Sequence, residues 1–188
     1  AGDKPKCESV KPVRHETQPP ARYTEATLVK ALEADGVGRP STYASIIGTI
    51  LERGYALRQG QALVPTFTAF AVTAILEEHF PHLVDEKFTA VMEDKLDEIS
   101  EGKAEWLPYL REFYLGPEGL RQQVQLHEKQ IDPTAARTLL LDGLDAKVKI
   151  GKFGPYVETG AKGHELRASL PKDVAPADLD QAQVEEIL

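Results

Sequence analysis

Arg39-Pro40-Ser41-Thr42, followed 11 residues after Thr42 by Arg53, holds the residue types with the plainest chemistry in the sequence. A helix start leaves backbone N–H groups without partners, and hydroxyls and a guanidinium beside them make an anion site. Pro40 suits a first helical position, Ser41 or Thr42 can cap the free amides, and Gly54 stands where a helix usually stops. The chemistry is that of holding a phosphate.

At 100° per residue the segment from Thr42 sorts into two faces. Ser45, Thr49, Glu52 and Arg53 share one arc with Thr42, while Tyr43, Ala44, Ile46, Ile47, Ile50 and Leu51 fall on the other. The polar face spans roughly 16 Å, enough to lie along several nucleotides. A polar outer face is also what any pair of packed helices shows, so spacing alone leaves a purely structural role open.

Other candidate chemistry is thinner. Glu93, Asp94, Asp97, Glu98 and Glu101 could suggest paired carboxylates, but such a run on an amphipathic helix is usually a solvated face. His79 and His82 flank Phe80-Pro81 with no third ligand close in sequence, and read as surface residues. Cys7 is the single cysteine, too few for an internal disulfide or a four-cysteine zinc site, and it suits a reduced, cytoplasmic setting. No apolar run reaches the length of a membrane span.

The elements that must position these residues follow in order. Residues 1–18 are polar and proline-containing and read as a disordered linker. Thr24 caps a first helix over about 25–34, with Glu25 near its positive end. Asp35-Gly36-Val37-Gly38 forms the turn into the second helix. Residues 55–58 and 61–64 read as a hairpin, giving a winged-helix pattern in which the hairpin either contacts nucleic acid or closes the core.

Thr66 caps a third helix to about His79, with Phe67, Phe70, Ala71, Ala74, Ile75 and Leu76 facing in. Helical patterns recur from Asp85, at 104–114, and from Pro117 to about Gln130. Residues 131–144 form a connection with some helical content. Strands follow at 147–151, 153–158 and 166–170, with a turn at Gly160 and Gly163. Asp180 and Gln183 have capping-box spacing for a last helix. The expected class is α+β, mainly helical with small β elements. The expected units are 19–130 and 145–188.

The net charge of −8 is unevenly spread. Residues 1–65 carry nine Lys/Arg against seven Asp/Glu, and residues 66–130 six against thirteen. A net +2 is a thin footprint for nucleic acid, since salt-dependent affinity grows with the phosphates neutralised.

Pro19-Pro20-Ala21-Arg22-Tyr23, Glu25-Ala26, Leu28-Val29-Lys30, the run Gly36 to Ile47, and Arg53-Gly54-Tyr55 together resemble the segment after the catalytic core of bacterial type IA DNA topoisomerases. The looser similarity runs to about Leu115, and 145–188 resembles the family's C-terminal repeat. The resemblance implies a piece of a longer enzyme that cuts one DNA strand through a tyrosine ester, passes the other and reseals it. The piece would line the single-stranded DNA groove. Catalytic residues here are none: the nucleophilic tyrosine and the acidic cluster holding magnesium would lie upstream of residue 1, and Tyr43 reads as packing.

It further implies backbone contacts from Arg39, Ser41, Thr42 and Arg53, with Arg22 and Lys30 weaker. The fragment itself needs no cofactor or metal. Its partners would be single-stranded DNA and the remaining domains of the same polypeptide, in a monomeric bacterial protein of the cytoplasm and nucleoid. In the repeat, Lys149, Lys152, Phe153 and Tyr156 suit single-strand stacking, or the two aromatics are simply the core of a small domain. A winged-helix regulator of duplex DNA and a protein-interaction platform are the alternatives.

Overall fold

The computed structural model describes residues 9–160 and 164–188; Cys7 and Gly163 lie outside them. Residues 9–18 are exposed and without regular structure. The chain then builds α1 (Glu25–Ala34), α2 (Tyr43–Glu52), β1 (Ala56–Gln59), β2 (Ala62–Pro65), α3 (Phe67–His79), α4 (Glu86–Ser100), α5 (Trp106–Leu115) and α6 (Leu120–His127). It continues through β3 (Thr138–Leu139), β4 (Lys147–Gly151), β5 (Gly154–Thr159), β6 (Leu166–Ser169) and α7 (Gln181–Ile187). This is an α+β fold.

Local capping sets most helix starts. Thr24 accepts from the Thr27 amide while the Thr27 hydroxyl accepts from the Thr24 amide, closing a reciprocal box on α1. Asp180 and Gln183 do the same for α7. Thr66 caps α3 through the Ala69 amide, and its hydroxyl donates to the Gly54 carbonyl at 2.7 Å, tying α3 to the end of α2. Gly54 stands at φ +65°, the left-handed turn that closes a helix.

The hairpin β1–β2 pairs Ala56 with Pro65 and Arg58 with Leu63. The Tyr23 carbonyl accepts from the Leu63 amide at 2.7 Å, so the approach to α1 lies along the hairpin as a third strand would. Buried Ile47, Ala56, Leu63 and Val64 close this winged-helix-like part.

β3-β4-β5-β6 form one antiparallel sheet in that order. Alternation along the strands makes two faces. Leu139 pairs with Val148 and Val148 with Val157, and both valines are 0% exposed. This apolar face packs with Phe67 and Ala71 of α3 and Val184 of α7 in one core. Lys149, Tyr156, Glu158 and Arg167 stand on the opposite face, paired as Lys149–Tyr156 and Glu158–Arg167.

Several elements differ from expectation. α2 begins at Tyr43, because Pro40, Ser41 and Thr42 form a turn that precedes the helix. α6 begins only at Leu120. The Gly119 amide donates to Gly116, and the Tyr114 carbonyl lies 2.7 Å from where a Cβ on Gly119 would stand, so 116–119 is a tight turn. The connection 131–144 contributes β3. On α3, Phe67 and Ala71 are buried while Phe70 and Ala74 are exposed: the helix meets the sheet along a narrow stripe. His79 is mostly buried, its ring 5.7 Å from that of His127 on α6.

Candidate nucleic-acid interface

The turn between α1 and α2 uses glycine where no other residue fits. Gly36 and Gly38 have φ of +73° and +77°, and a Cβ on Gly38 would come within 2.9 Å of Ile46. The turn closes on Arg39. The Thr42 hydroxyl accepts from the Arg39 amide at 2.9 Å and donates to the Arg39 carbonyl at 3.0 Å. That carbonyl also accepts from the Thr42 and Tyr43 amides. Thr42 therefore fastens the turn; its side chain makes no bond to the α2 amides.

The donors left over define the site. Among the described residues, the Ser41 hydroxyl and the Ala44 and Ser45 amides have no hydrogen bond from the protein. They lie at the first turn of α2, the positive end of the helix. Ser45 and Thr49 turn their hydroxyls back to the carbonyls of Thr42 and Ser45, so that face is polar without strong outward donors. Arg53 follows at the C-terminal end of α2, exposed and without an ion pair among the described residues. Tyr43 packs beside the Gly38 turn.

The remaining cations differ in how free they are. Arg39 is gripped by α4: Nε donates to Asp97 and Nη2 to Asp94, both at 2.9 Å. The hydrogen bond to Asp97 raises its pKa above the ordinary arginine value. Arg22 donates to Asp178 at 2.8 Å. Lys30 is exposed on α1 and free of ion pairs among the described residues. The sequence reading missed Asp94 and Asp97 as partners of Arg39. Their i, i+3 spacing on an amphipathic helix was the one available signal.

On the outer face of the sheet, Glu158 is held between Lys149 and Arg167. The Lys149 ammonium, helped by Arg167 and opposed by burial, keeps that carboxyl below the ordinary carboxylate range. Lys149 is therefore committed. Tyr156 is half-buried against Gly151, where an added Cβ would approach its ring to 3.1 Å. Phe153 is 94% exposed at the β4–β5 turn, with the Lys152 ammonium 5.7 Å from its ring centre. Only Phe153 of these aromatics presents an open face.

Among the described residues no three His, Cys, Asp or Glu side chains converge as metal donors. No helix among the described residues is long and apolar enough to cross a membrane.

The sequence profile of the DNA topoisomerase family matches residues 1–111, and that of the topoisomerase C-terminal repeat matches 142–188. DNA topoisomerase 1 of Synechococcus elongatus is 61% identical over 187 residues, covering 100% of this chain and 21% of that protein. The Streptomyces coelicolor DNA topoisomerase 1 is 46% identical, covering 100% of this chain and 22% of its own length. Full-length topoisomerase I of Thermotoga maritima superposes with a TM-score of 0.67 at 32% identity, over 85% of this chain and 26% of that one. The chain spans about a fifth of the length of the two relatives from Synechococcus and Streptomyces.

Proposed function

Because the chain belongs to the DNA topoisomerase family, we propose that it is the strand-holding part of an enzyme that relaxes negatively supercoiled DNA. In that reaction one strand is cut through a tyrosine ester, the other passes through the gap, and the first is resealed. The nucleophile and the magnesium-holding acids are assigned to other parts of a monomeric, cytoplasmic polypeptide. Residues 19–130 serve as the groove segment and 145–188 as an accessory repeat.

One observation carries this reading. Among the described residues, the Ser41 hydroxyl and the Ala44 and Ser45 amides have no protein partner and open one end of an exposed polar helix face, and Arg53, without an ion pair there, closes the other. Phosphates about a helix length apart can meet both ends. Lys30 adds a cation nearby in sequence that has no ion pair among the described residues. Thr42 and Arg39 belong to the site through the turn they fasten, and Arg22 is the weakest member because Asp178 already holds it. Exposed Phe153 with Lys152 suits stacking on a single-stranded base; Tyr156 backs that turn at Gly151, while Lys149 is held by Glu158. Holding the scissile strand in register lowers the barrier by positioning.

Fluorescence anisotropy with a single-stranded oligonucleotide and its duplex, at two salt concentrations, tests the reading. Weak, salt-sensitive binding that favours the single strand is expected. Tighter binding to the duplex would replace it with a duplex-binding regulator. A denaturant-stable DNA adduct lost on Tyr43→Phe would move the nucleophile into this chain.

A further inference from the structure

Every side-chain nitrogen of Arg39 is engaged. Beside its two carboxylate bonds, Nη1 donates to the carbonyls of Gly36 and Gly38 at 3.2 and 2.8 Å. Asp94 and Asp97 are three residues apart and share one face of α4. Ala90, on that same face, sits 3.2 Å from where a Cβ on Gly36 would stand. α4 thus meets the turn by close packing at Gly36 and by two charged bonds at Arg39. A planar guanidinium suits this grip, because its nitrogens point in fixed directions to two carboxylates and to carbonyls at once.

We propose that Asp94 and Asp97 are positioning residues for strand binding. Through Arg39 they hold the turn 35–42 so that Ser41 and the first amides of α2 face a phosphate. Arg39 itself does not grip the strand. This rests on the strand-holding reading above. For a phosphate to recruit Arg39 it would have to displace both carboxylates, and they would remain within one helix turn of the incoming anion. Glu93 adds a third negative charge to that field.

The two roles predict opposite signs. Coulomb's law alone says that removing two acids beside an anionic strand strengthens binding. Positioning says that it weakens binding, because the donors lose their register. The experiment measures anisotropy of a fluorescent oligothymidylate with the 188-residue chain at several low salt concentrations. Asp94→Asn/Asp97→Asn, Arg39→Lys and Arg53→Ala are compared with the unaltered chain, with a melting curve for each.

The expected result is about a tenfold loss for the double variant, with the slope of log Kd against log salt unchanged, since no phosphate contact is lost. Arg39→Lys should lose as much, because it keeps the charge and drops the fork. Tighter binding or a steeper salt slope on neutralising the acids would overturn the proposal and make Arg39 a phosphate ligand held in reserve. Should the double variant not fold, Asp94→Asn alone, at a largely exposed carboxylate, gives the same sign test. Arg53→Ala separates the two levels. If it weakens binding while the acid variants tighten it, only the positioning role fails. If the unaltered chain binds nothing, or Arg53→Ala changes nothing, the strand-holding reading fails first.

Discussion

The four-stranded sheet and the α4–α6 helices both carry regularly spaced apolar side chains and end in opposite states. In the sheet, Val148 and Val157 face each other across two strands and are sealed by α3 and α7. In α4, α5 and α6 no residue is buried. Val91 is 68% exposed and Trp106 58%, and Leu107, Leu110 and Tyr114 lie open beside it. One stacked pair, Phe88 on Phe113 at 6.3 Å, joins α4 to α5. A sheet closes its core by pairing strands whose inward residues are fixed by alternation. An amphipathic helix only offers a stripe and depends on what is laid against it. The strand site sits between these regimes: α2 belongs to the closed part, while the acids that hold its leading turn belong to the open part.

Truncating the same kind of side chain in both regions is the strongest test of that contrast. Val157→Ala should cost roughly 2–3 kcal/mol, because the lost methyl groups come from a dry, sealed position. Leu110→Ala on α5 should cost less than about 0.5 kcal/mol in this chain, as surface changes usually do. Chemical denaturation of both variants measures this. Equal losses would mean that the helices are sealed in solution.

The next largest effect concerns Glu158. Its carboxyl is nine-tenths buried and bonded to Lys149 and Arg167. Its pKa in the folded chain is lowered, the Lys149 bond being the first cause. The stabilisation it gives is therefore complete above the ordinary carboxylate range and lost as the pH falls through the lowered folded value. Glu158→Gln should cost about 1–3 kcal/mol at neutral pH and flatten the acid limb of the stability curve. An acid limb unaltered by Glu158→Gln would show that the pair is not what joins the sheet's outer face.

What the sequence makes legible follows the range of the physics involved. Thr24, Thr66, Asp85 and Asp180 announce their helices because a cap bonds amides two or three residues away. The strand pattern around Val148 and Val157 is equally local. α2 starts at Tyr43, later than Pro40 suggests, because Thr42 spends its hydroxyl on Arg39 instead of the α2 amides. β3 has two residues and exists only by pairing with β4. The grip on Arg39 reaches Asp94 and Asp97, 55 and 58 positions away, and no window along the chain contains both ends. Of the site, the free end at Arg53 and the hydroxyls near Thr42 were visible, and the fate of each cation was not.

The smallest expected effect tests how the closed sheet region is joined to the helical part. Arg22 donates to Asp178 at 2.8 Å, and the Gln59 amide of the hairpin donates to the Asp173 carbonyl at 2.9 Å. Both bonds link the winged-helix-like part to the end of the sheet unit. Arg22 is about one-third exposed and Asp178 about half, so water screens the pair, and exposed pairs contribute about 0.2–1 kcal/mol. Arg22→Ala should lower the melting temperature slightly at low salt and have no effect at high salt, where the charges are already screened. Asp178→Asn should give the same small shift, and combining it with Arg22→Ala should add nothing, because the two changes remove one interaction. DNA affinity then separates a tie from a strand contact. If Arg22 serves Asp178 alone, Arg22→Ala leaves single-strand affinity unchanged and Asp178→Asn does not strengthen it. If Arg22 leaves Asp178 for a phosphate, Asp178→Asn tightens binding and the salt slope falls by about one on losing Arg22.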